Sequence, residues 1–304
     1  MRLSKKGLNS EEKQKISEFA AWILQIGNGQ IIDIEDPNDE EAPWIEIPQD
    51  LLIQSNIDPI QSIFLATYPD FDKNFADFAY LRERAIVTAR NSTVTEINNY
   101  AIDLLPGEKR IYLSSDSLCS SSTNFENLCM IYPTEFLNQL EFNGLCNGTR
   151  LVVTQMVDRV IEAKILTGSH IGHKVFIPRI VLSATENKWP FIFKRRQFPI
   201  RPCYAMTINK SQGQSLKQVG LYLPQPVFSH GQLYVALSRA TSREGLKIII
   251  DNNNEVPNKY TKNIVYKDID GTMNIVPIHN LHRFQSSVKI RMCVQNLENK
   301  GVQI

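Results

Sequence analysis

Ile16, Phe19, Ala20, Ile23 and Leu24 recur at helical spacing, and Asn9 with Glu12 stands ahead of them in a capping-box relation. The pattern predicts an amphipathic helix over Ser10 to Leu24, closed by Gly27-Asn-Gly. Leu51 to Tyr68 is apolar enough to pack again, and a boundary is expected near Pro69 to Phe78. Ala85-Ile-Val-Thr-Ala reads as a short buried strand that turns at Arg90-Asn91-Ser92 directly into a helix carrying Val94, Ile97, Ala101, Ile102 and Leu105. Thr93 and Glu96 form a second capping pair there, and Pro106-Gly107 stops the helix. This is a strand-turn-helix unit of the α/β kind, with Thr88, Arg90 and Asn91 at the carboxyl end of the strand, where such folds bind ligands.

From Arg110 to Leu182 the pattern changes to short β-like runs, Ile111 to Leu113, Leu151 to Met156, Val160 to Leu166 and Val175 to Leu182. No long helical period interrupts them, so they resemble a small β-barrel inserted into an α/β domain. Alternation then resumes. Tyr204-Ala-Met-Thr-Ile, Val219-Gly-Leu-Tyr-Leu and Leu246-Lys-Ile-Ile-Ile-Asp read as strands, and His230 to Leu237 as a helix introduced by the cap candidate Ser229. A parallel sheet follows from that order. After Asp251-Asn-Asn-Asn a turn-rich linker leads to a further β-like tail.

Composition narrows the field only by exclusion. With 304 residues, 42% of them hydrophobic and 21% charged, disorder, coiled coil and collagen are excluded, and one large or two modest domains are expected. The net charge of +1 conceals two opposed patches. Between Ile31 and Asp50 lie eight acidic residues and no basic one, whereas Pro190 to Gly220 holds Lys194, Arg195, Arg196, Arg201, Lys210 and Lys217 and no acidic residue. Five widely spaced cysteines, never C-x-x-C, suit reduced thiols better than a disulfide framework or a zinc site. No membrane span is expected, and Met1-Arg-Leu-Ser-Lys-Lys opens onto polar sequence rather than a signal-peptide core.

Two stretches carry candidate chemistry. In Ala205-Met-Thr-Ile-Asn-Lys-Ser-Gln-Gly-Gln-Ser-Leu216 a strand delivers Thr207, Asn209, Lys210, Ser211, Gln212 and Gly213 into one turn. Hydroxyl, amide, ammonium and an approachable backbone suit phosphate oxygens; an ordinary polar strand-helix connection is the equally weighted alternative. In Gly231-Gln-Leu-Tyr-Val-Ala-Leu-Ser-Arg-Ala-Thr-Ser242 a helix ends at Ser238-Arg239, presenting one guanidinium from a rigid element. A planar cation suits a transferring phosphate, although taken alone the stretch favours an arginine stabilised by the helix macrodipole. Lys194-Arg195-Arg196 reads as a DNA contact, a solvated face or a nuclear targeting run. His170 with His173, and His279 with His282, have H-x-x-H spacing without a nearby Cys or acidic partner, which favours surface histidines over metal ligands.

Together and in this order, Ala205 to Leu216 resembles motif V, and Gln232 to Ser242 motif VI, of the Pif-type branch of superfamily 1B DNA helicases. Leu81-Arg-Glu-Arg-Ala-Ile-Val-Thr-Ala-Arg-Asn91, Tyr112-Leu-Ser-Ser-Asp-Ser117, Tyr132-Pro-Thr-Glu-Phe-Leu137, Gly144-Leu-Cys-Asn-Gly-Thr-Arg150, Phe193-Lys-Arg-Arg-Gln-Phe-Pro199 and Phe228-Ser-His-Gly-Gln-Leu-Tyr-Val235 are similar to that family in the same order. The resemblance runs from Met1 to about Asp268. It implies an α/β, RecA-like lobe 2A of the P-loop NTPase fold, built on a parallel sheet, with a small SH3-like β insert, 2B, and a preceding remnant of lobe 1A. The implied boundaries are 1–78 for the lobe 1A remnant, 79–132 and 183–252 for lobe 2A, 133–182 for 2B, and 253–304 for a linker and a partial OB-like tail. The last rests on Met273 to Val294, which resembles the opening strand of a replication protein A-like OB domain.

By the same resemblance Arg239 is the catalytic arginine finger, and Arg2, Gln212, Gly213 and Arg239 face the nucleotide. Thr88, Asn91, Thr207, Asn209 and Lys210 face single-stranded DNA; many relatives carry histidine where Asn209 stands. ATP and Mg²⁺ are the implied cofactors, and single-stranded DNA with replication protein A-like factors the implied partners. Repair, recombination and telomere maintenance are the implied roles, in the nucleus, with the mitochondrion as the second compartment. Two departures stand against a complete motor. No G-x-x-x-x-G-K-[ST] run occurs in the 304 residues, and by the resemblance relatives carry roughly twenty further residues of the 2B barrel between the positions of Asn143 and Gly144. Two readings therefore remain at this stage: part of an ATP-dependent 5′ to 3′ helicase, or an inactive fragment that only binds single-stranded DNA.

Overall fold

The computed structural model describes residues 9–34, 42–54, 58–107, 110–120, 148–183, 191–251, 257–266 and 290–294. In chain order the elements are α1 (Ser10–Gly27), β1 (Trp44–Glu46), α2 (Pro59–Thr67), α3 (Phe71–Asn74), α4 (Phe78–Arg82), β2 (Arg84–Thr88), α5 (Asn91–Asp103) and β3 (Ser115–Ser120). A β-rich stretch follows with β4 (Arg150–Met156), β5 (Val160–Ile165), β6 (Lys174–Pro178), β7 (Ile180–Ser183), β8 (Phe191–Gln197) and β9 (Ile200–Pro202). Then come β10 (Ala205–Thr207), α6 (Ile208–Ser211), β11 (Gln218–Leu223), α7 (Gln232–Leu237), β12 (Leu246–Ile250), β13 (Tyr260–Lys262) and β14 (Ile290–Val294). They form two compact units, 1–105 with 203–280, and 106–202 with 281–304.

The first unit is an α/β layer structure around the sheet β10-β2-β11-β12, every pair of which is parallel. Period-2 alternation sends Ala85, Val87, Met206, Val219, Leu221, Leu223, Ile248 and Ile250 to one face, where they share a core with Phe19, Ile23 and Ile26 of α1 and Leu233, Ala236 and Leu237 of α7. α2 and α5 pack on the sheet from the other side. Gly220 is required on that side because a side chain there would collide with Thr67 and Ile63 of α2. Both sheet edges are covered. On the β12 edge, Ile248 accepts from Ile53 N–H and donates to the Leu51 carbonyl. On the β10 edge the buried Asn98 amide of α5 accepts from Tyr204 N–H and Ala205 N–H, both at 2.9 Å, and donates to the Ala205 carbonyl at 3.1 Å. An amide side chain thus takes the place of a missing strand, which removes an exposed edge.

The second unit is built from antiparallel hairpins. β4, β5 and β6 form a meander, with Ile161, Ala163 and Ile165 alternating inward against Leu151, Val153, Ile177 and Phe198. β14 and β9 extend that sheet in the order β6-β5-β4-β14-β9, and β3, β8 and β7 form a second antiparallel sheet. Tyr112 stacks edge-on against Phe198, and the Arg179 guanidinium lies 5.2 Å from the Phe198 ring centre.

The Asn9 and Glu12 capping box is present, with Asn9 Oδ1 accepting from Glu12 N–H at 2.7 Å and Glu12 accepting from Asn9 N–H at 3.0 Å. Several local expectations are corrected. Thr93 does not cap α5: it is buried inside the helix, and the cap position is Arg90, whose side chain makes no capping bond, because β2 ends only two residues before the helix begins. Ser229 does not cap α7, which begins after Gly231 in a left-handed conformation at φ 65°. Ile111 to Leu113 is not a strand; Ile111 and Leu113 point outward, 84% and 77% exposed, and only Tyr112 turns in. No break in packing occurs at residues 69–78 either. Phe64, Tyr68, Phe71, Tyr80 and Tyr204 form one aromatic cluster across it, and Tyr68 Oη donates to the Tyr204 carbonyl at 2.9 Å. Residues 9–34 and 58–82 therefore share the sheet's unit, and the β-rich unit takes in 106–120 and 191–202 beyond the 133–182 span read from sequence.

Candidate functional site

The carboxyl ends of β2 and β10 lie side by side, with Thr88 opposite Thr207 in register and Thr88 also opposite Tyr222 of β11. The connection leaving β2 runs to β10 on one side and that leaving β11 runs to β12 on the other, so the chain order reverses between β2 and β11. Open parallel sheets bind ligands outside the carboxyl ends of their strands, and the β2–β10 pair lies next to this switch point. Each strand opens directly into a helix, α5 after β2 and α6 after β10, and these two turns carry Arg90, Asn91, Asn209 and Lys210, all exposed. Lys210 Nζ donates to Asn91 Oδ1 at 3.5 Å, joining positions 119 residues apart. Two cations and two amides are thus presented from one rigid edge, a donor set matched to phosphate oxygens.

The two threonines are placed differently. Thr88 has no exposed surface and its Oγ1 has no hydrogen-bond partner, while Thr207 is 7% exposed. Of the five residues expected to face single-stranded DNA, Asn91, Asn209 and Lys210 are exposed, whereas Thr88 and Thr207 are buried. Burial pushes the Tyr222 hydroxyl up to about 12, and the negative charges of Asp251, Asp58 and Glu96 act in the same direction, so this phenol beside Thr88 stays neutral.

On the far side of α6 the turn at 211–214 meets the end of α7. Arg239 Nε donates to the Val235 carbonyl at 2.9 Å, one terminal nitrogen to the Ser211 and Gln214 carbonyls at 3.3 and 3.0 Å, and the other to Ser238 Oγ at 2.7 Å. The half-buried guanidinium ties the turn to the helix, and a phosphate would have to compete with these carbonyls for it. Gln212 and Gly213 are exposed on that turn, and Gly213 adopts φ 80°, a left-handed conformation that glycine tolerates best. Ser211, buried, donates to the Ile208 carbonyl at 2.7 Å. Arg2 lies outside the described residues.

Two buried amides that support the site were not anticipated from sequence. Asn98 holds the backbone leading into β10, and its signal was a polar residue on the apolar stripe of α5, between Val94, Ile97 and Ala101. Gln232, 1% exposed, accepts from Phe228 N–H at 3.0 Å and so fixes the loop ahead of α7. Among the described residues no group of three or more His, Cys, Asp or Glu could hold a metal ion, and no helix is long and apolar enough to cross a membrane.

Comparison with known proteins places this sequence among relatives. No protein-family model matches the chain. The human ATP-dependent DNA helicase PIF1 is 30% identical over 168 residues, covering 50% of this chain and 25% of that protein. The Saccharomyces cerevisiae ATP-dependent DNA helicase PIF1 is 48% identical over 64 residues, 21% of this chain and 7% of that one. The Trypanosoma brucei brucei ATP-dependent DNA helicase PIF6 is 36% identical over 77 residues, 25% and 10% of the two chains. The match thus spans a quarter or less of each of these relatives. Among solved structures, Pif1 helicase from Bacteroides in complex with ADP-AlF3 and single-stranded DNA aligns with a TM-score of 0.45 at 17% identity, over 88% of this chain and 52% of that one. Over the aligned half of the chain, then, the sequence is similar to a quarter of the length of curated ATP-dependent DNA helicases of the PIF1 kind, and the described sheet is parallel α/β.

Proposed function

We propose that the chain supplies the lobe 2A part of a Pif-type, ATP-dependent 5′ to 3′ DNA helicase, and that its carboxyl sheet edge is the track for single-stranded DNA. The observation that carries this is the meeting of Lys210 with Asn91, beside exposed Arg90 and Asn209, at the ends of two adjacent parallel strands. Such an edge grips the sugar-phosphate backbone without reading bases. Arg239 and the turn of Gln212 and Gly213 form the nucleotide-facing corner on this reading. The residues present fit one wall of an ATP site and no more, since no Walker A run exists in the 304 residues to cradle phosphates. Repair, recombination and telomere maintenance in the nucleus, or in the mitochondrion, with replication protein A-like partners, complete the proposal by family likeness.

Fluorescence anisotropy with a labelled thymidine oligonucleotide across a salt series tests the track. Lys210→Ala is expected to weaken binding several-fold and to reduce the slope of log affinity against log salt by about 0.7 to 1. Unchanged affinity and slope would refute it. The isolated chain is expected to show no DNA-stimulated ATP hydrolysis, and turnover abolished by Arg239→Ala would contradict that.

A further inference from the structure

Lys210 and Asn209 stand on a helical turn too short to hold itself. α6 has four residues, far below the length at which a helix is stable alone, so its form is set by what grips it. Ile208 and Ser211 are buried with no exposed surface, which turns Asn209 and Lys210 outward. The carboxyl end of the turn is gripped from another element. Arg239, just past the end of α7, donates from one terminal nitrogen to the carbonyls of Ser211 and Gln214. Its Nε donates to the Val235 carbonyl and its other terminal nitrogen to Ser238 Oγ, which itself donates to the Val235 carbonyl at 2.9 Å. Four of the five guanidinium N–H groups are thus engaged inside the α/β unit, two fixing the plane of the fork on α7 and two clamping the turn that follows Lys210. The backbone sets the distance. Leu216 N–H donates to the Arg239 carbonyl and Thr241 N–H to the Leu216 carbonyl, both at 3.0 Å, so the arginine starts beside the turn it holds.

We propose that Arg239 is a positioning residue for single-stranded DNA: its fork, rather than its charge, holds α6 so that Lys210 and Asn209 stand at the sheet edge. The inference rests on the reading of that edge as the DNA track, and the task it gives Arg239 is separate from any contact with nucleotide. Cationic side chains commonly satisfy the last carbonyls of a helix. Here one side chain does so for a helix 25 to 28 residues away in sequence, while anchored to its own. A lysine would keep the positive charge, but a single ammonium lacks the planar fork that meets Val235, Ser211, Gln214 and Ser238 at once.

Fluorescence anisotropy and hydrogen exchange on the full chain test this. Arg239→Lys, which keeps the charge and loses the fork, is expected to weaken binding of a labelled thymidine oligonucleotide several-fold. It is also expected to lower the slope of log affinity against log salt by about 0.7 to 1, as loss of one phosphate contact does. Added to Lys210→Ala it is expected to cost nothing more, because both changes remove the same contact. Exchange of the Gln214 amide, which donates to the Ser211 carbonyl, is expected to quicken about tenfold in Arg239→Lys, with β2 and β11 keeping their protection. Wild-type affinity and slope in Arg239→Lys, where Lys210→Ala does show its loss, would overturn the proposal. So would additive losses in the double variant, unchanged exchange at Gln214, or loss of protection across the sheet, which would make Arg239 a support of the whole unit. Lys210→Ala without effect would instead refute the DNA track, and the proposal with it, whatever the exchange at Gln214 shows.

Discussion

The two units of this chain solve the problem of sheet formation in opposite ways. In the α/β unit strands hand over to helices, so β2 with α5, β10 with α6 and β11 with α7 are each local structures whose side chains already point to their final layers. In the β-rich unit the β4-β5-β6 meander and the β7-β8 pair are local, while β3 finds β8 across more than 70 residues and β14 pairs with β4 across more than 130. The candidate site is found on the locally determined unit. Its polar residues need only the strand-turn-helix rule, applied twice, to come together.

Loss of Asn98 is the largest expected disturbance to that contrast. Asn98→Leu leaves two N–H groups and one carbonyl of Tyr204 and Ala205 without their side-chain partner, at a cost of about 3 kcal/mol. In urea unfolding followed by residue-resolved exchange, only the α/β unit is expected to lose that stability; an equal loss at residues 160–165 would mean that the two units unfold as one. A smaller probe of the other side is Ile161→Val, which trims one methylene from the meander core and is expected to cost about 1 kcal/mol there, with no change in the exchange of β11. A transmitted effect on β11 would break the comparison.

The smallest effect concerns how residues 48–52 are held to the α/β unit. Arg243 donates to both carboxylate oxygens of Asp50, at 2.7 and 2.8 Å, and that hydrogen bonding holds the Asp50 carboxyl below the ordinary aspartate range. A folded pKa below the unfolded one means that the stabilisation is present above about pH 4 and fades as pH falls through the folded value. With Asp50 57% and Arg243 34% exposed, solvent screening keeps it below about 1 kcal/mol. Asp50→Asn is expected to flatten the acid limb of the stability curve by that amount, and an unchanged limb would mean the pair contributes nothing.

What could be read from sequence follows the same division. The first helix with its capping box and the four parallel strands were legible because periodicity and turn chemistry act over a few residues, whereas Asn91 and Lys210, 119 residues apart, were grouped only by the family resemblance. The orientation of Arg239 was not: a helix end can be read, but the carbonyls of Ser211 and Gln214 that hold the guanidinium lie 25 to 28 residues away. The burial of Thr88 was hidden for a similar reason, since a strand end can lie open or covered with the same local pattern. Ile111 to Leu113 misled because its three apolar residues alternate outward, inward, outward. A strand as distant as β14 leaves no local trace of its partners.

The central claim is that single-stranded DNA follows the carboxyl edge of the parallel sheet, and photo-cross-linking tests it most directly. A benzophenone side chain is placed at Asn209 on that edge and, separately, at Lys217, which precedes β11 at the opposite edge and pairs with Glu83. With a labelled thymidine oligonucleotide at low salt, the account predicts a cross-link from position 209 that is lost on adding Lys210→Ala, and none from position 217. Equal cross-linking from both positions, or from 217 alone, would contradict it.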